Sequence, residues 1–267
     1  MKYTIKDFRR EFSSENKCLD YMFRFKYPEA KGYYRIKGRK CYSHKTTRHQ
    51  IHPLAGTIFH KSSTPLTVWF EAIYLFSIAK NGVSAKELQR HFGVTYKTAW
   101  RIAHQIRRLM SNTGPKLSGL VEADETYMGG YRRGGQGGRG KTPVIGLVQR
   151  GGGVRAKVSL REAHLILDHM RQNVEKGTRV LSDQFGVYRK AAKLGYAHGA
   201  VNHWKKEYVR GDVHTNTLDG FWSQLKRSIR GTYGFVSVKH LQAYVDEFAF
   251  RYSNRERSIF DALLRRI

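Results

Sequence analysis

The sequence predicts an α/β protein in which a helical segment precedes one sheet-containing domain. Three observations lead there. Residues Pro65–Met110 place apolar side chains at helical period. At Asn112–Ser118 (N-T-G-P-K-L-S) that pattern breaks and turns strand-like. Beyond it, strand-forming runs come three in succession and then alternate with helical ones.

Composition narrows the function. The 267 residues suffice for one large domain or two smaller ones, and 40% hydrophobic with 13% aromatic content supports a packed core. Lys and Arg number 49 against 21 Asp and Glu, a net charge of +28. Such charge calls for a polyanionic partner, nucleic acid first. The basic residues are interleaved with Tyr, Trp and His along the whole chain, which suits a folded binding surface rather than a tail. The longest apolar stretch, near Ala72–Ala79, is far short of the roughly 20 residues of a membrane span, and no signal peptide is evident. Cys18 and Cys41 make no disulfide scaffold. A cytoplasmic, nucleoid-associated protein with DNA and not a membrane as its partner is expected.

Residues 1–62 carry a weak amphipathic pattern through Ile5, Phe8 and Phe12, a helical piece at Leu19–Phe25, and a hairpin of Tyr33–Ile36 with Arg39–Tyr42 around Lys37-Gly38. Cys41 and His44 have C-x-x-H spacing, half of a zinc site. Cys18, His49 and His52 form no second tight pair, which leaves structural Zn²⁺ doubtful and a metal-free hairpin packed by its tyrosines as the alternative.

Residues 63–112 read as helices. Pro65–Asn81 is apolar at helical period and ends at Asn81-Gly82. Ser84, with Glu87 three residues on, caps a helix running to His91-Phe92; Gly93 turns the chain; Thr95 caps a second helix with Ala99, Ile102, Ala103, Ile106 and Met110 inward. Two short helices joined at a glycine form a helix-turn-helix pattern. Tyr96, Lys97, Thr98 and Arg101 then lie where a recognition helix meets DNA.

Residues 118–267 begin with the strand Leu120–Met128, whose alternation puts Glu122 and Asp124 on one face and Glu125 on the other. The basic glycine run Gly129–Lys141 lacks the spacing of a P-loop; its Arg132 and Arg133 are candidate DNA contacts. Val144–Gln149 and Val154–Ser159 complete a meander. A helix at Arg161–Val174, a strand Arg179–Ser182 ending on Asp183, a helix Tyr188–Leu194, a strand Ala200–His203, and helices His214–Ile229 and Val238–Tyr252 follow. This order matches the ribonuclease-H-like fold. In that fold the first and fourth strands are neighbours, so Asp124 and Asp183 face each other, with Asp219 on the following helix. Three converging carboxylates repel one another and require a cation; oxygen-only ligands favour Mg²⁺ or Mn²⁺ over zinc.

The runs V-E-A-D-E-T-Y-M-G-G, L-S-D-Q-F-G-V-Y, H-T-N-T-L-D-G-F-W-S-Q-L-K-R and H-L-Q-A-Y-V-D-E-F-A-F-R-Y-S-N-R resemble the DDE transposases of bacterial insertion sequences related to the Merlin elements. The resemblance covers nearly the whole chain. It implies a Mg²⁺-dependent transposase that binds terminal inverted repeats, nicks there and joins 3′ ends to target DNA, acting as a homo-oligomer on paired ends. It assigns Asp124 and Asp183 as the first two acids and Asp219 as the third. Lys226, two helical turns on from Asp219, matches a basic residue beside the cleaved phosphate, and Arg227 adjoins it. The third position is usually Glu, or Asn in some subgroups, and here is Asp; Asn216 in the same motif is the fallback ligand. The N-terminal region resembles a degenerate form of the family's zinc ribbon, keeping Cys41 but with His44 and Thr47 where cysteines are expected. The alternative is a catalytically inactive DNA-binding protein derived from a transposase; a nuclease that cleaves without joining is a third reading.

Overall fold

A computed structural model describes residues 3–111, 113–129, 140–159, 162–183, 187–201 and 209–267. The chain forms two compact units. The first comprises Met1–Ala79, Ala85–Leu109 and Phe260–Ile267; the second comprises Lys80–Ser84 and Met110–Ile259.

The first unit holds helices α1 (Ile5–Glu11), α2 (Glu15–Lys26), α3 (Leu66–Ile78), α4 (Ala85–Phe92), α5 (Tyr96–Leu109) and α9 (Ile259–Leu264), α9 entering it at Phe260, and a small antiparallel sheet of β1 (Tyr33–Arg35), β2 (Tyr42–His44) and β3 (Gln50–Ile51). Thr4 and Asp7 form a reciprocal capping box on α1, and Ser14 caps α2. The apolar face of α3 is fully buried through Trp69, Phe70, Ile73 and Phe76. Gly93, at φ +64°, turns the chain between α4 and α5, and Thr95 Oγ1 accepts from the Thr98 amide at 3.3 Å. The expected inner face of α5, Ala99 to Met110, is buried.

The expected hairpin needs correction. Its second strand is Tyr42–His44 and not Arg39–Tyr42, so Tyr33 pairs with His44 across a longer loop, and β3 extends the sheet. The Tyr42 ring stacks on Phe23 of α2 at 3.9 Å between centroids, and its hydroxyl donates to Asp20. Packing of that ring on α2 sets the register, which local turn preference could not report.

The second unit is a five-stranded mixed sheet with helices on both faces. Its strands are β4 (Leu120–Met128), β5 (Thr142–Gln149), β6 (Val154–Val158), β7 (Arg179–Asp183) and β8 (Ala197–Val201), in spatial order β6-β5-β4-β7-β8. The first three make the expected antiparallel meander, and β7 and β8 add in parallel. Helix α6 (Ala163–Asn173) packs Ile166 and Met170 on one face against Val121, Ala123, Ile145 and Val180. Helices α7 (Asn216–Ser228) and α8 (Val238–Ser253) pack Leu218, Trp222, Leu225, Val245 and Phe248 on the other, against Val144, Val148 and Val154. Residues Tyr188–Leu194 form a 3₁₀ helix where an α-helix is expected, and β8 lies at Ala197–Val201 instead of Ala200–His203. Five residues of π-helix, Ile229–Tyr233, continue α7. Among the described residues no helix is long and apolar enough to cross a membrane.

Candidate active site

Period-two alternation on β4 sorts its three acids. Glu122 and Asp124 point to the α7 face, and Glu125 to the α6 face, where Tyr188 Oη donates to its Oε1 at 2.5 Å. Tyr188 is fully buried, and desolvation with the Glu125 charge pushes its phenol well above the ordinary tyrosine range.

Glu122 is completely buried and heavily bonded. Its Oε1 accepts from Arg150 Nε at 2.6 Å and Thr217 Oγ1 at 2.8 Å, and its Oε2 from the Leu218 amide at 3.0 Å. Thr215, at the N-cap of α7, makes no side-chain capping bond. A strand carboxylate thus supplies the capping acceptor and meets the positive end of the helix dipole. Arg150 spreads its other donors over the Asp212 carbonyl, at 2.8 Å, and His214, at 2.9 Å to Nδ1 and 3.1 Å to the carbonyl. Together these bonds seat the start of α7 on the sheet, and with it Asp219.

Asp124 lies two residues on, in a different environment. Trp222 Nε1 donates to its Oδ2 at 3.1 Å. The indole reaches the sheet because Gly146, the partner of Asp124 on β5, has no side chain: a Cβ there would lie 2.4 Å from Trp222 Cζ2. Burial first, then the Glu125 carboxylate and those of Asp219 and Asp183, push the Asp124 carboxyl up to about 7; a hydrogen bond from the Glu125 amide opposes them. Asp183 ends β7, one residue past Ser182, which pairs with Ala123. Asp219 is exposed in the first turn of α7. The charges of Asp183 and Asp219 thus both reach Asp124.

Lys226 is half-buried two turns beyond Asp219. Burial depresses its ammonium, as do the charges of Arg230 and Lys141, while Asp124 and Asp219 raise it. Asn216 is the exposed first residue of α7, and Arg227 is exposed near its end. Arg132 and Arg133 lie outside the described residues.

The donors of the acidic trio are carboxylate oxygens, which suit Mg²⁺ or Mn²⁺. Burial and like charge, the two causes that hold the Asp124 carboxyl near neutral pH, are what a divalent cation relieves. As the side chains stand, no group of three or more His, Cys, Asp or Glu among the described residues is arranged to hold a metal ion. In the first unit, His44 Nδ1 accepts the Thr47 amide at 3.1 Å, His49 Nδ1 pairs with Tyr33 Oη at 2.8 Å, and Cys41 and Cys18 are buried.

Of the residues at the start of α5, Tyr96 and Lys97 are exposed and Thr98 half-buried. Arg101 turns inward: it donates to Thr64 Oγ1 at 2.9 Å and lies 5.4 Å from the Trp69 ring centre.

Residues 116–253 match the family of the ISXO2-like transposase domain. The chain belongs to that family. The transposase is also 29% identical over 244 residues to an uncharacterized protein in transposable element ISH50 of Halobacterium salinarum, a match spanning 82% of this chain and 80% of the relative. Its fold is compared with a chain of the cryo-EM structure of the simian T-cell lymphotropic virus intasome in complex with PP2A regulatory subunit B56 gamma at a TM-score of 0.33 and 14% identity. That match takes in 62% of the transposase and 63%, less than two thirds, of the intasome chain.

Sequence reasoning did not foresee Arg150, Trp222 or Gly146 as parts of the site. The one available signal was that Glu122 shares its strand face with Asp124.

Proposed function

We propose that this transposase binds the terminal inverted repeats of its insertion sequence, cleaves a DNA strand there and joins the 3′ end to a target duplex, with Asp124, Asp183 and Asp219 as its acidic centre. The observation that carries the reading is the parallel register of β4 with β7, in which Asp183 follows the Ser182 partner of Ala123, together with α7, seated on the Asp124 face of the sheet with Asp219 in its first turn; Lys226 is near enough for the Asp124 and Asp219 charges to act on it. The element order supports a ribonuclease-H-like domain over residues 118–267. Helices α4 and α5 support a helix-turn-helix within residues 63–112, where Tyr96, Lys97 and Thr98 meet DNA and Arg101 braces the helix from within. Residues 1–62 are read as the degenerate zinc-ribbon-like module. The net charge of +28 suits binding of DNA, whose phosphates would offset the mutual repulsion of copies in a homo-oligomer on paired ends.

Asp124, Asp183 and Asp219, with Asn216 in reserve, would hold Mg²⁺ or Mn²⁺. When bound, such ions supply an activated water or 3′-hydroxyl and stabilise the leaving oxygen of the phosphodiester. The chain's own part is positioning. Trp222 fixes one oxygen of Asp124, Glu122 and Arg150 seat the helix that carries Asp219, and Lys226 and Arg227 neutralise the phosphate beside the acids.

The test is incubation of the protein with the element's ends and Mg²⁺, scoring nicked and joined products. Asp183→Ala should abolish both and leave DNA binding intact. Binding by the parent protein without either product would indicate an inert DNA-binding derivative; cleavage without joining would indicate a nuclease.

A further inference from the structure

Beside Lys226 the second unit contains a cavity of about 510 Å³. Tyr127 and Met128 at the end of β4, Ile229 of the π-helical turn and Leu241 of α8 line it, with Phe235 and Val238 at its edge. Phe235 is 74% exposed and Val238 64%, so folding leaves both apolar surfaces in water. The backbone that carries Phe235 is nevertheless tied to its surroundings. Gly234, at φ +69°, turns the chain, and the Phe235 amide donates to the Tyr233 carbonyl at 2.8 Å. Tyr233 Oη in turn donates to the buried Glu247 at 3.1 Å, and Thr232 Oγ1 to the Asn81 carbonyl at 3.0 Å. An aromatic ring is thus presented to solvent on a fixed support.

The cations of the same cavity narrow its occupant. Lys226 and Arg230 line it, and Lys141 lies near enough for its charge to act on Lys226. Apolar walls, one displayed aromatic face and a cationic rim fit a flat heteroaromatic group joined to an anion. A nucleobase with its phosphate has that chemistry, and a base inside a duplex cannot reach such a wall unless it leaves the stack.

We propose that this cavity takes one unpaired nucleobase of the DNA strand held at the acids, stacked on Phe235, with its phosphate between Lys226 and Arg230. The proposal rests on the DNA-processing reading above, and two DNA probes separate the two. The full chain, without divalent metal, is titrated against a labelled duplex that is fully paired and against the same duplex carrying one extrahelical base. The extrahelical duplex should bind about tenfold more tightly, the order expected of one base stacked on an aromatic side chain. Phe235→Ala should remove that preference while leaving affinity for the paired duplex unchanged, and Phe235→Trp should keep it. The exposure of Phe235 means that neither change disturbs the core.

Equal affinity for the two duplexes in the parent protein, or a preference that survives Phe235→Ala, would overturn the assignment and leave the DNA reading standing. Failure to bind either duplex would overturn both. Loss of self-association in Phe235→Ala with the preference intact would give the surface to a second copy of the chain instead.

Discussion

The inner and outer parts of one strand face in β4 carry the same chemical group in opposite conditions. Glu122 and Asp124 are two residues apart, and both are withdrawn from water. Around Glu122 lie a guanidinium, a hydroxyl and a helix amide, so its charge is answered within the fold. Around Asp124 lie an indole N–H, the Glu125 amide, Lys226 within reach of its charge, and three further carboxylates, which together with burial push its carboxyl up to about 7. A buried carboxylate that the fold satisfies is part of the scaffold. One whose charge burial and neighbouring carboxylates leave only partly answered is suited to a cation brought from outside. Lying side by side, the two separate what holds α7 from what α7 and the sheet present.

The strongest break in this comparison is expected from Asp183→Ala. Removing one of the coupled acids should lower strand cleavage by about a thousandfold or more, since a catalytic cation supplies several kcal/mol of transition-state stabilisation. Product formation on end-containing DNA measures it, and unfolding midpoints should barely change. Glu122→Gln should act first on stability, by loosening the seat of α7. Leaving Arg150 with an uncompensated charge should cost about 3 kcal/mol of stability, read by urea denaturation.

Asp124→Asn sharpens the contrast through pH. The folded state of the parent retains a proton on Asp124 up to about 7, whereas the unfolded chain releases it near 3.8. Across that window the folded state binds more protons, so the parent's stability relative to Asp124→Asn should fall as pH rises and level off above 7. Thermal unfolding of the two metal-free proteins at several pH values tests the sign; a relative stability that rises with pH would contradict this account. The smallest effect should come from Trp222→Phe, which keeps an aromatic side chain but removes the N–H and the indole edge packed over Gly146. Stability should fall by about 2 kcal/mol, the lost hydrogen bond and the smaller ring together, and the change should show as weaker Mn²⁺ binding by titration calorimetry.

Much of this was legible in the residues themselves. The alternation Val121, Glu122, Ala123, Asp124, Glu125 fixed which acids share a face, and β4 with β7 as parallel neighbours follows from the element order. The role of Glu122 was not legible, because Arg150 and Thr217 reach it from 28 and 95 residues away. No local pattern signals such partners. The space filled by Trp222 depends on a missing Cβ across the sheet, a relation that exists only once β4 and β5 are paired. The 3₁₀ form of Tyr188–Leu194 escaped for a related reason: Tyr188 is committed to Glu125 on β4. β2, β3 and α9 are short, and tertiary packing rather than periodicity sets their ends.

Residues Lys80–Ser84 belong to the sheet-bearing unit although the helices before and after them do not. Gly82, at φ +84°, sits so close to Tyr233 that a Cβ would fall 1.9 Å from the phenol oxygen, and 3.0 Å from Glu247 Oε1. A fragment begun at residue 110 would therefore lack a plug of its own interior, with the phenol and the Glu247–Arg251 pair opened to water on that side. A graft that exchanges the N-terminal helices must therefore carry Asn81 and Gly82 across unchanged.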